Sequence, residues 1–314
     1  MSYLESETKK VLKTKLSLKL QNRIKGVSAG IVAVIIYASM FLVSRYGVKN
    51  NIGIYELAFI RYSIAGMLLL PLFFLRKTSG RSVLTLSQGG LLAIVAGIPY
   101  MLLIYFGLKY APAAHAAAIN TGTVPCVVAL MTLAKESSLR DKLFKLGSYA
   151  AVIVGLFIFT GVSVLQMNHQ VIIGDILFFL SGVSWAIFTL LSKKWQADSY
   201  ELTSTISVIS LLYVPIYLSL QGLSKLAAIP TRDILIQGLL QGVGSSIVAM
   251  LLFTYSIRKI GANHATLLSP FIPLLTAMMA IPLLHELLSP VQWLGVFLII
   301  SGIIFAARFQ AGRG

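Results

Sequence analysis

The sequence predicts an all-α membrane protein, with ten transmembrane helices arranged as two inverted five-helix repeats. Three observations carry that prediction. Of 314 residues, 57% are hydrophobic and 11% charged, whereas soluble chains carry about 25% charged residues, so most of the surface must face lipid. The apolar residues gather into ten runs, each near the roughly 20 residues that a bilayer-spanning helix needs. Finally, Tyr105, Lys109 and Glu136 recur as Tyr255, Lys259 and Glu286, all at a shift of 150.

The chain begins with a basic segment, residues 1–25, that holds seven Lys and Arg. Leu12, Leu16 and Leu20 recur every fourth residue, which reads as an amphipathic helix on an anionic cytoplasmic leaflet. A disordered basic tail is the competing reading. No small-residue cleavage site follows a short apolar run, so a cleavable signal peptide is not expected. The ten spans are expected at 26–46, 55–75, 89–108, 112–133, 143–162, 172–191, 202–220, 234–257, 262–284 and 291–307. They are too long for strands and lack period-two alternation. With the N-terminus placed inside, 20 of the 26 Lys and Arg fall on the cytoplasmic side, five fall outside and Arg61 lies within a span. That bias puts both termini in the cytoplasm of a cell whose inner membrane holds the chain. It also accounts for the net charge of +16 without a nucleic-acid partner.

The repeat divides the spans into units 26–162 and 172–307, followed by a cytoplasmic tail, 308–314. Tyr55-Glu56-Leu57 returns as Tyr200-Glu201-Leu202, a shift of 145, and Gly26, Ala38, Leu42 and Ser44 return as Gly174, Ala186, Leu190 and Ser192, a shift of 148. Each unit has five spans, an odd number, so the second enters the membrane from the opposite side. Inverted units of this kind are a transporter architecture with a site near the midplane.

Tyr37-Ala38 and Trp185-Ala186, Arg61 after Glu56-Leu57, and the spacing of Pro273, Glu286 and Gly295 form a pattern. In these residues the chain resembles the drug/metabolite transporter superfamily, specifically its ten-span members with two EamA units. The likeness runs from Gly26 to Ala307. The first unit departs from it, because Thr123 stands where a proline is expected and Pro125 is displaced by two. The resemblance implies a central cavity lined by the first four spans of each unit, with the fifth and tenth at the periphery. It also implies export.

Counting from the span ends at about 1.5 Å per residue, Tyr37, Tyr100, Asn120, Trp185, Ser245 and Ser246 fall in the middle third. Unpaired polar groups in lipid cost several kcal/mol, so these should face protein or a wet cavity. They read as the wall of a substrate site or as adhesion between helices. Arg61 needs a partner, since inserting it costs at least about 2.5 kcal/mol. Glu56 lies on the wrong side of the helix. A substrate carboxylate or phosphate would serve, and so would carbonyls or outer headgroups. His115 and His264 open the fourth and ninth spans and are the candidates for protonation, or else interfacial residues. All ten carboxylates fall in tails, loops or terminal turns, which argues against simple proton/cation exchange. Glu136 and Glu286 read as structural ties near helix ends. Pro125, Pro270 and Pro273 read as gates that interrupt spans four and nine.

Cys126 is the single cysteine, which excludes an intrachain disulfide and a cysteine-ligated metal site. No phosphate-binding loop, paired active-site carboxylates or nucleophile elbow is present, so neither enzyme activity, nor a metal, nor a cofactor is expected. The expected partners are the bilayer and a small amphipathic or zwitterionic, amino-acid-like metabolite. Glycines in spans five and ten also suggest a homodimer face. A lipid or lipid-linked-sugar translocase is the first alternative, and a membrane-embedded enzyme or receptor the second.

Overall fold

The computed structural model describes residues 2–80, 82–133, 139–260, 265 and 268–311. His264 and Glu136 lie outside them. The described residues are helical with no strands. The helices are α1 (Ser2–Lys49), α2 (Ile54–Thr78), α3 (Leu86–Ala96), α4 (Ile98–Tyr110), α5 (Ala113–Leu133), α6 (Leu139–Leu165), α7 (His169–Trp195), α8 (Ser199–Ser210), α9 (Tyr213–Gln221), α10 (Ser224–Ala227) and α11 (Thr231–Gln237). A π-helical segment, Gly238–Val248, follows, and then α12 (Ala249–Ile260), α13 (Phe271–Leu284) and α14 (Pro290–Ala311). Eight helical stretches are long and apolar enough to cross a membrane, and Phe271–Leu284 and Pro290–Ala306 are shorter apolar helices.

Local chemistry sets the ends. Thr85 and Gln88 form a reciprocal capping box at the start of α3. Asn168 caps α7 and Asp198 caps α8 through their side-chain oxygens. Glu56 opens α2 while Arg76 and Lys77 close it, each charge opposing the helix dipole. α1 runs unbroken through the expected boundary at residue 25. Its 48 residues make it about 72 Å long at 1.5 Å per residue, far beyond one span.

The expected gates differ in their surroundings. Pro125 sits inside an unbroken α5. Pro270 is the N-cap of α13 and Pro273 lies in its first turn, where the missing N–H interrupts no hydrogen bond. Among the described residues, further interruptions lie in the third and seventh spans. The third breaks at Gly97, with Pro99 at the start of α4. The seventh breaks at Leu211–Leu212, between α8 and α9. The two breaks adjoin: a Cβ on Gly97 would stand 2.7 Å from Ser210 Oγ and 2.2 Å from the Ala93 carbonyl. Only glycine fits that corner.

The main packing partners are α6 with α14, α1 with α12 and α13, α7 with α4 and α5, and α2 with α8. α2 and the α8–α9 stretch run antiparallel. At one end the Tyr217 hydroxyl donates to Glu56 Oε1 at 2.7 Å. At the other, Arg76 pairs with Asp198, and Glu201 accepts from Ser82 Oγ at 2.6 Å and from Leu84 N–H at 3.0 Å. Gly155 of α6 and Gly295 of α14 meet each other within the chain, and Gly302 of α14 packs against α6, while Gly147 and Gly161 have nothing within 4 Å. A Cβ on Gly155 would stand 2.9 Å from the Gly295 carbonyl, and one on Gly302 would stand 2.9 Å from the Ser148 carbonyl.

Candidate functional site

α2 brings Arg61 inward. Gly238 and Gly242 of the π segment press on Ile64 and on the Arg61 backbone, which lets α2 approach closely. Arg61 is only 9% exposed, so it does not reach headgroups. Its Nη1 donates to Ser245 Oγ at 2.9 Å, and its buried Nε has no partner. Among the described residues it forms no salt bridge. The phenols of Tyr37, Tyr62, Tyr100 and Tyr105 lie within its electrostatic range. This is a buried cation surrounded by neutral dipoles, beside a π segment. Such segments are frequent at functional sites.

A polar chain continues from it. Ser245 and Ser246 both donate to the Gln241 carbonyl, at 3.0 and 2.9 Å. Tyr105 donates to Gln241 Oε1 at 2.5 Å. Gln241 donates to Gln237 Oε1, and Gln237 donates to the Val43 carbonyl at 2.9 Å. Sequence reasoning missed Tyr62, Tyr105, Gln237 and Gln241. Gln237, Gln241 and Ser245 stand four apart, and that one-faced polar stripe was the available signal.

Tyr100, Asn120 and Trp185 form a second group at α7. Tyr100 and Trp185 pack with centroids 5.0 Å apart, and Trp185 and Phe188 at 4.7 Å. Asn120 Nδ2 donates to Ser181 Oγ at 2.8 Å, and Ser181 donates to the Phe178 carbonyl at 2.7 Å. Asn120 therefore joins α5 to α7, as adhesion requires, while Tyr100 lies in contact with it and also near Arg61. Tyr37 reaches across to Met250 Sδ at 3.8 Å.

Two clusters tie one end of the bundle. Arg45 Nε donates to Glu286 Oε1 at 2.7 Å, and Arg45 Nη1 donates to the Leu108 carbonyl. Lys49 donates to the Leu284 carbonyl at 2.9 Å, and the Ala113 N–H donates to Glu286 Oε2 at 2.9 Å. The ends of α1, α4 and α13 and the start of α5 thus close on one carboxylate. His285, left-handed at φ 55°, turns the chain so that Glu286 can point back. The second cluster corrects two expectations. His115 is not interfacial but 2% exposed, and it bonds to Asp175, which is 7% exposed. α7 starts at His169, three residues before the expected span. That puts Asp175 in the second turn, facing protein rather than in a terminal turn. Among the described residues no three His, Cys, Asp or Glu cluster as metal ligands.

A model of the EamA-like transporter family matches residues 24–165 and again 172–308. The chain belongs to that family. As an EamA-like membrane transporter it is 26% identical over 286 residues to an uncharacterized transporter of Archaeoglobus fulgidus, covering 88% of this chain and 95% of that one. It is 25% identical to the uncharacterized transporter YyaM of Bacillus subtilis over 69% of this chain and 71% of that one. It is 25% identical to the uncharacterized inner membrane transporter YedA of Escherichia coli over 86% of each chain. A solved crystal structure superposes with a TM-score of 0.61 at 15% identity, covering 93% of this chain and 100% of that one. That likeness concerns the fold alone.

Proposed function

We propose that the chain is a ten-span inner-membrane transporter that exports a small amphipathic or zwitterionic, amino-acid-like metabolite by alternating access. The observation that carries this reading is Arg61. A guanidinium nine-tenths buried, with Nε unpartnered and no carboxylate of the described residues paired with it, is costly to keep. A cargo carboxylate would complete it as a charge-assisted pair. Tyr37, Tyr100 and Trp185 supply apolar walls with polar edges for the remainder of the cargo. Ser245 and Ser246 hold the guanidinium and the π segment in place.

Exchange of the two units supports the inverted arrangement. α1 packs on α12 and α13, the third and fourth spans of the second unit, as α7 packs on α4 and α5 of the first. The pairs α2 with α8 and α6 with α14 map onto themselves under the same exchange. The inner-membrane assignment leans on the printed name of the Escherichia coli relative, and export on the family resemblance. Gly97 and the Leu211–Leu212 break are the hinges of the motion.

The test is counterflow in proteoliposomes across amino acids, nucleosides and organic cations. Amino-acid-like solutes should exchange, and Arg61→Gln should lose that exchange while the protein remains monodisperse. Exchange of organic cations alone would overturn the cargo assignment. Scrambling of labelled lipid with no solute exchange would replace the reading with a lipid translocase.

A further inference from the structure

His115 and Asp175 are buried ionisable groups that the cargo site does not use. His115 Nδ1 lies 2.7 Å from Asp175 Oδ1, and its Nε2 lies 2.9 Å from Gln292 Nε2. Both nitrogens of that second contact cannot donate. Gln292 settles the roles, because its Oε1 is committed to the Ser289 N–H at 2.9 Å, while the Gln292 N–H bonds Ser289 Oγ at 3.2 Å. This is a reciprocal capping box at the start of α14. The amide nitrogen therefore faces the imidazole, so Nε2 accepts and Nδ1–H donates to Asp175. The ring is neutral and the carboxylate anionic. Asp175 Oδ2 is buried with no partner.

The neighbouring charges are already engaged. From α1, Arg45 and Lys49 go to Glu286 at the end of α13. From α4, Lys109 lies over Tyr110 at 5.7 Å. α6 presents the Phe159 ring, 4.7 Å from the imidazole, and α14 presents the neutral Gln292. His169 stands exposed at the start of α7, and His285 is exposed beside Glu286. The couple thus holds one negative charge that no cation of the described residues pairs with, and its one unprotonated nitrogen, Nε2, accepts only from the neutral Gln292 amide.

We propose that His115 and Asp175 form a proton-binding site whose filling releases the cap of α14. One proton from water binds Nε2, making an imidazolium–carboxylate pair with no net charge. The new Nε2–H then points at the Gln292 amide hydrogens. To accept it, the amide must turn its oxygen inward, which takes Oε1 from Ser289 and opens the capping box. The site lies where α5 of the first unit meets α7 and α14 of the second. Proton binding is thereby transmitted from that seam to α14, the helix that packs along α6. Because both groups are nine-tenths buried, the ligand is a proton rather than a hydrated cation.

Full-length protein in nanodiscs, labelled with 13C at histidine Cε1, tests this without any cargo. The chain's four histidines give separate signals, and the one missing in His115→Asn identifies His115. In wild type it should pass from the neutral to the protonated shift as pH falls. Hydrogen exchange of the peptide spanning 286–296, corrected for intrinsic rates, should rise severalfold as pH falls, with the same midpoint. Gln292→Ala should exchange fast at every pH. A His115 signal that keeps its neutral shift at every pH overturns the proposal. So does a wild-type exchange step with a different midpoint, or one that persists in His115→Asn. Since no solute is used, failure here is separate from failure of the transport reading.

Discussion

At the scale of single residues, burial with or without a partner separates function from adhesion. Arg61 has only neutral partners among the described residues and a free Nε, so Arg61→Lys should retain part of the exchange and Arg61→Gln should not. A point charge keeps the attraction but loses the planar fork. Asn120 is different, since its amide already has protein partners in Ser181 and Tyr100. Asn120→Ala should lower the thermal midpoint by removing one partner of a buried hydrogen bond, a loss of about 1–3 kcal/mol. In the surviving fold the apparent affinity for cargo should hardly change. Trp185→Ala should weaken affinity severalfold in counterflow, through loss of the Tyr100 contact. An unchanged Trp185→Ala would remove α7 from the cargo wall. Arg61 was legible in the sequence because a charge inside an apolar run is self-evident. Its surroundings were not, since Tyr62, Tyr105, Gln237 and Gln241 come from three separate helices and only the fold sets them together. Asp175 was misjudged for a related reason. A helix start placed three residues late turns an inward-facing second-turn carboxylate into an end-of-helix one.

At the scale of elements, hydropathy located eight stretches able to cross a membrane and two shorter apolar helices, but not their interruptions. The run of apolar residues is insensitive to whether hydrogen bonds go to i−4 or i−5, so the π segment Gly238–Val248 was invisible. Proline was an incomplete guide as well. Pro270 and Pro273 begin a helix, while the seventh span breaks at Leu211–Leu212, two residues of high helix propensity. Glycine served better where backbones touch. Gly155 and Gly295 each face the other's carbonyl within 3 Å of a would-be Cβ. Gly295→Leu should therefore force α6 and α14 apart, an overpacking cost of about 1–3 kcal/mol. A fall in the thermal midpoint in nanodiscs, with loss of monodispersity, would register it. Gly161, with nothing within 4 Å, is the matched control, and Gly161→Leu should leave the midpoint in place.

At the scale of the whole molecule, two clusters tie one end of the bundle and a repeated contact pattern holds its middle. Glu286 closes one end, and reversing the pair as Arg45→Glu with Glu286→Arg should recover only part of the stability that either single change removes. The swapped arginine cannot accept the Ala113 N–H, and the swapped glutamate cannot donate to the Leu108 carbonyl. Full recovery in a double-mutant cycle on the thermal midpoint would reduce Glu286 to a simple charge partner. The orientation of the units is the more general matter. Asn50 follows the first span of the first unit, and Lys194 closes the equivalent helix of the second; both side chains are exposed. Five crossings separate equivalent points, so inverted units must present these two positions to opposite sides of the membrane. Cys126 is buried, and replacing it with serine gives a background free of thiols. Asn50→Cys and Lys194→Cys, introduced one at a time, should then react with an impermeant maleimide from opposite faces. Lysine and arginine counts place Asn50 outside and Lys194 inside. Reversal of both would leave the inverted repeat intact and turn the molecule over, making the proposed exporter's open and closed ends exchange places. Labelling of both from one face would be incompatible with the antiparallel equivalence of the units, and with a cargo site formed at their seam.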